Sequence, residues 1–142
     1  MLLIVGCGAK ANAGPQELAI KSEKYYQEAL AGYKQEITKG QNVDQIYFDL
    51  GRVYLDHGAF IEATGCFVKS GLPQAKKFLG LSYYRSQEFT DALEAFDKID
   101  NPDDECLYYK GLTCEKLNLF DPDLAAYKKI KEKEFAFFAA EY

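Results

Sequence analysis

Apolar side chains recur along this chain every three or four positions. That is the period of a helix with one buried face, whereas a half-buried strand alternates every second position. Tyr47, Leu50 and Tyr54 stand at i, i+3 and i+7 and make one stripe; Phe60, Ala63 and Phe67 make a second beyond Gly58. The pair predicts two helices joined by a tight turn at Gly58, where glycine takes the left-handed conformation that stops a helix. Leu79, Gly80 and Tyr83 followed by Phe89, Ala92 and Phe96 repeat the arrangement. Leu107, Gly111 and Cys114 followed by Phe120 and Tyr127 repeat it again. Twelve positions separate Gly51 from Ala63, Gly80 from Ala92 and Gly111 from Asp123. Three equal intervals imply one hairpin geometry used three times, with Ala63 facing Gly51 so that the two helices approach closely.

The pattern decays towards both ends. Tyr26, Ala29 and Tyr33 hold second-helix positions, but Gln16 to Ile20, where the matching first helix belongs, lack a Leu-Gly pair. This predicts a degenerate amino-terminal hairpin closed by Gly40-Gln41-Asn42. In the last hairpin Lys110 replaces the leucine and Asp123 the small residue. Asp121 before Pro122 reads as an N-cap and a first helical residue, so Asp123 falls in the first turn and Ala126 moves in to make the close contact. Phe135, Phe138, Ala139 and Tyr142 take first-helix positions once more, which predicts a separate capping helix.

An aromatic residue, Leu-Gly and Tyr on one helix, then Ala and an aromatic on the next, resembles the tetratricopeptide repeat (TPR). The resemblance covers Pro15 to Tyr142 and implies an all-α fold, a right-handed α-solenoid of antiparallel helix hairpins. It divides the chain into about 3.5 repeats: residues 15–43, 44–72, 73–101 and 102–131, with the capping helix over 132–142. Successive second helices are offset by 34, 29 and 31 residues. Against a usual period of about 34, the middle repeats are shortened. The family binds proteins and is not catalytic; its first helices line a concave groove that holds an extended or helical partner. Carried over by position, that groove comprises Phe48, Arg52, Leu55, Lys77, Leu81, Tyr84, Arg85, Tyr108 and Leu112. It is apolar and aromatic, dotted with three cations. The branch of the family that clamps the carboxyl terminus of chaperone tails wants amides or lysine where Phe48, Asp49 and Arg52 stand, so an amphipathic peptide or a partner subunit suits this groove better.

Composition narrows the chemistry. With 48% hydrophobic and 15% aromatic residues among 142, the chain has enough apolar side chains to bury a core without staples. Its 17 Lys+Arg against 22 Asp+Glu give a net charge of -5 with no clustered basic face, which excludes nucleic acid as the expected partner. Cys7, Cys66, Cys106 and Cys114 form no C-x-x-C pair and there is one histidine, so neither a metal site nor a redox dithiol is expected. His57, beside Asp56 and without a serine or cysteine partner at a family spacing, reads as an exposed turn residue. Asp100, Asp103, Asp104 and Glu105 cluster around Pro102 as acids at a helix start, lacking the alternating ligands and central glycine of a calcium loop. No cofactor, small-molecule substrate or enzymatic activity is expected.

Residues 1–14 differ from everything after them: an apolar run, one cysteine, then small and polar residues. Ile4-Val5-Gly6-Cys7 resembles the lipobox of bacterial lipoproteins, in which the cysteine receives a diacylglycerol. The resemblance implies lipidation at Cys7, a flexible tether over residues 8–14, and membrane attachment by the lipid anchor only. Gly8 rather than Asp after the cysteine implies a cell-envelope, outer-membrane location facing the periplasm or surface. The second reading of the same residues is an apolar terminus without lipid, in a cytoplasmic TPR adaptor. An odd three cysteines left once Cys7 is lipidated favour that second reading, because an oxidising compartment favours pairs.

Overall fold

The computed structural model describes residues 15–140, with the side chains of 22–129 and 132–134. The lipobox and Cys7 lie outside the described residues. The fold is all-α, seven helices in the order α1 Pro15–Lys39, α2 Val43–His57, α3 Phe60–Lys69, α4 Ala75–Arg85, α5 Phe89–Asp97, α6 Asp104–Lys116 and α7 Pro122–Ala140.

Each of α2, α4 and α6 ends in the same turn. Gly58, Gln87 and Asn118 adopt positive φ of 83°, 68° and 55°. In each case the next residue donates its backbone N–H five positions back: Ala59 to Tyr54, Glu88 to Tyr83 and Leu119 to Cys114, at 2.8–2.9 Å. This bond pattern satisfies carbonyls left open at a helix end and reverses the chain. Gly51 then meets Phe67 and Gly80 meets Phe96, positions equidistant from their turns, so each pair of helices runs antiparallel.

That contact corrects one expectation. A Cβ on Gly51 would lie 2.7 Å from the Phe67 ring, and one on Gly80 would lie 2.5 Å from the Phe96 ring. The partner of the glycine is therefore the aromatic residue one turn beyond Ala63 or Ala92. Those alanines are 0% exposed and fill the core beside the ring. In the last pair the glycine meets backbone instead: a Cβ on Gly111 would lie 2.9 Å from the Leu124 carbonyl oxygen. Ala126, expected to move in, is exposed. The expected N-cap is present, with Asp121 Oδ1 accepting the Asp123 backbone N–H at 3.1 Å.

Two boundaries also differ. α1 is one helix of 25 residues where the repeat pattern places a degenerate hairpin. α7 runs unbroken over 19 residues where a boundary at 131/132 and a separate capping helix are expected. In both places the intervening residues, Lys21 to Lys24 and Lys128 to Glu134, contain no glycine or proline to break the helix.

Helices contact their neighbours in sequence, and α4 additionally touches both α2 and α6. By contrast, among the described residues the backbones of α3 and α5, and of α5 and α7, come no closer than 8 Å. The even-numbered helices thus form a contiguous row and the odd-numbered ones stand apart. α4 sits at the centre: its Phe78 packs on the cluster of Phe48, Leu55, Ala63, Phe67 and Ala75 and also on that of Leu81, Ala92, Phe96 and Cys106. α1 joins through a third cluster in which Tyr26, Leu30, Tyr33 and Ile37 meet Tyr47, Leu50 and Tyr54. Two hydroxyls buried at 0% exposure, Ser82 and Thr113, donate to carbonyls one turn back, Phe78 at 2.8 Å and Tyr109 at 2.7 Å.

Candidate functional site on the row of even-numbered helices

The nine expected groove residues all lie on α2, α4 and α6, but they divide. Phe48, Leu55 and Leu81 are only 5–7% exposed and belong to the core. The cause is the contact between successive even-numbered helices. Phe48 reaches across to Phe78 of α4, ring centroids 5.2 Å apart, and to Phe67 at 6.0 Å. Residues flanking the packing positions are therefore sealed between hairpins and form a floor with no apolar opening.

Arg52, Lys77, Tyr84, Arg85, Tyr108 and Leu112 keep surface. Arg52 is laid over an aromatic ring, its Cζ 5.6 Å from the Phe78 centroid. Lys77 approaches the same ring at 5.9 Å and is clamped by two carboxylates of the next hairpin, Asp103 at 2.7 Å and Glu105 at 2.5 Å. Burial by itself lowers the Lys77 pKa, but hydrogen bonds from Asp103 and Glu105 outweigh it and the ammonium is held above its ordinary range. Two of the three cations expected to dot the groove are thus engaged within the fold.

Asp103 is doubly used. Burial raises its pKa, whereas Lys77 and the Cys106 backbone N–H, which donates to Oδ1 at 2.8 Å, together lower it below its ordinary value. It is the N-cap of α6, so the acids around Pro102 serve as a helix start and a cross-brace to α4.

Tyrosines dominate the α4–α6 half of this face. Tyr84 lies edge-on to Tyr109 at 5.3 Å and to Phe89 at 5.7 Å, and Tyr109 edge-on to Tyr108 at 5.4 Å. Burial, then the neighbouring tyrosines, push the Tyr84 phenol up; burial, then Glu132 and Tyr109, push Tyr108 up. Tyr109 was not among the expected residues. Its position one residue beyond Tyr108 offered no slot in the repeat, and its role emerges only because α4 and α6 touch.

Elsewhere, His57 closes α2 and joins it to α1, departing from its expected place as a free turn residue. Its ring stacks on Tyr26 at 3.5 Å and its Nε2 lies 3.6 Å from Glu23 Oε2. The thiols of Cys66, Cys106 and Cys114 are buried and unpaired by disulfides, and burial raises the pKa of each, Cys106 to about 11. Such thiols hold little thiolate at neutral pH. No helix among the described residues is long and apolar enough to cross a membrane. No protein-family model matches the sequence, and no curated protein matches it at a significant level.

Proposed function

We propose that this chain is a non-catalytic scaffold of the tetratricopeptide kind, a right-handed solenoid of about 3.5 hairpins. It holds a partner peptide or subunit against α2, α4 and α6. The observation that carries the reading is the row of partly exposed tyrosines, Tyr84, Tyr109 and Tyr108, on a surface braced by contacts between consecutive hairpins. Aromatic rings supply large contact area at small entropic cost, which is why they concentrate in binding surfaces. The thrice-repeated turn at Gly58, Gln87 and Asn118 supports one hairpin design used in series. The test is selection of binding peptides from a displayed random library on the whole chain, repeated on a Tyr84→Ala/Tyr108→Ala variant of unchanged helicity. Peptides lost on the variant support the reading; peptides bound equally by both refute this face as the site.

Cys7 carries a diacylglycerol in this proposal and tethers the scaffold to the envelope of a bacterium, at the outer membrane. Expression of the gene with radiolabelled fatty acid tests it: a Cys7→Ser variant that still carries label refutes the anchor. A second reading, a cytoplasmic adaptor with the same surface and no lipid, is favoured by the three unpaired buried thiols.

A further inference from the structure

The cations that the repeat pattern puts on this face belong, in the fold, to its α2–α4 half. There Phe78 lies beneath the chain's own Arg52 and Lys77, at 5.6 and 5.9 Å. The α4–α6 half repeats the aromatic part of that arrangement with the charges reversed. Tyr84, Tyr109 and Tyr108 form a continuous run at 5.3 and 5.4 Å. Around it stand acids: Asp104 and Glu105 lie one helical turn before Tyr108 on α6, and Glu132 of α7 is close enough to act on the Tyr108 phenol. The lysines of this edge are each held between two carboxylates, Lys77 by Asp103 and Glu105, Lys128 by Glu115 and Glu132. Carboxylates outnumber ammonium groups along the edge even after these pairs are counted.

We propose that the tyrosine run of α4 and α6 receives a lysine or arginine side chain from a basic partner segment, the cation resting on a tyrosine face and drawn in by the surrounding carboxylates. The inference rests on the scaffold reading and names the chemistry of its partner. Aromatic faces are electronegative and bind cations, most strongly where water is partly excluded. Burial, the largest influence on the Tyr84 and Tyr108 phenols, marks these rings as partly desolvated. An acidic segment would meet the carboxylates of α6 and α7. A purely apolar segment would need an open apolar floor, and that floor is closed, Leu81 being 5% exposed. The opposing charge is Arg85, exposed at the end of α4 beside Tyr84.

The test uses the displayed random peptide library on the whole chain, followed by titration of the enriched peptides. Enrichment in lysine and arginine is expected, with binding that weakens as salt is raised. Tyr108→Phe, which keeps the ring, retains binding, whereas Tyr108→Leu loses about fivefold. Glu132→Gln weakens the same peptides without touching a ring, and Arg85→Gln binds them at least as tightly. Enriched peptides without excess positive charge, still dependent on Tyr84 and Tyr108, would overturn the cationic partner and leave the scaffold reading standing. Absence of any peptide dependent on this face would overturn both. Equal binding by Tyr108→Leu and Tyr108→Phe would also overturn the inference, because leucine has no ring face to offer.

Discussion

The same substitution should change stability in opposite directions at two glycines of this chain. Gly65 lies mid-helix in α3, and a Cβ built there meets nothing within 4 Å. Gly65→Ala therefore gains helix propensity, about 1 kcal/mol, with no steric cost. Gly80 lies mid-helix in α4, where a Cβ would fall 2.5, 2.7 and 2.8 Å from three ring carbons of Phe96. Comfortable carbon contacts are roughly 3.5–4.0 Å, so the ring must retreat by about 1 Å. Phe96 is 2% exposed and packed between α4, α5 and α6, which leaves it little room to move. Overpacking of this kind costs roughly 1–3 kcal/mol, so that after the propensity gain Gly80→Ala is destabilised by about 1 kcal/mol. The two variants should then differ by roughly 2 kcal/mol. Urea unfolding followed by helical circular dichroism reads this as a shift in midpoint at unchanged slope. In a thermal scan the gap is roughly 6–8 °C. Adding Phe96→Leu to Gly80→Ala should show favourable coupling of about 1 kcal/mol, since the two substitutions share one contact. Gly80→Ala as stabilising as Gly65→Ala would refute the reasoning, because it would mean that the ring does not rest on the glycine.

Three further outcomes follow from local geometry. Gln87 occupies a left-handed position at φ 68° that Gly58 occupies in the preceding hairpin; Gln87→Gly should stabilise by about 0.5–1 kcal/mol and Gly58→Gln destabilise by a similar amount in urea titrations. Asp103→Ala removes the N-cap of α6 and should cost about 1 kcal/mol at neutral pH. The Asp103 pKa in the fold lies below its ordinary 3.8, so its stabilisation is present above about pH 4 and lost as pH falls through the folded value. The variant should therefore show a flatter acid limb of stability against pH, and an unchanged limb would refute the Asp103–Lys77 linkage. Cys106, raised to about 11 by burial and then by Asp103, should resist alkylation by iodoacetamide at pH 8 in the folded protein and react once it is unfolded in urea, as read by mass.

The elements that were legible in the sequence are those marked by local chemistry. Gly58 announced its turn because glycine enters the left-handed region freely, and Asp121-Pro122 announced the start of α7. Gln87 and Asn118 make the same turn without that signal, and only their register with Gly58 reveals them. The glycines of the packing stripes were found, but their partners were misjudged: a spacing of twelve is a property of the sequence, whereas the facing residue depends on how an antiparallel pair is phased about its turn. Likewise the division of the groove into core and surface was not legible. Phe48 and Leu81 look identical to Leu112 in the repeat, and what separates them is contact between hairpins. The ion pairs of Lys77 reversed the charge of the face for the same reason, since Asp103 and Glu105 lie 26 and 28 positions further along the chain.

The contiguous row of α2, α4 and α6, with α3, α5 and α7 standing clear of one another, has a mechanical meaning. A beam bends most easily about the side on which its parts are joined. Here the even-numbered helices are the joined side, and the odd-numbered ones can fan apart or close up without breaking a backbone contact between them. Curvature is thus the soft coordinate of the structure, with Phe78, shared between two core clusters, at its pivot. A partner pressed onto the tyrosines of α4 and α6 would be met by a surface that adjusts its radius while keeping the spacing of its side chains.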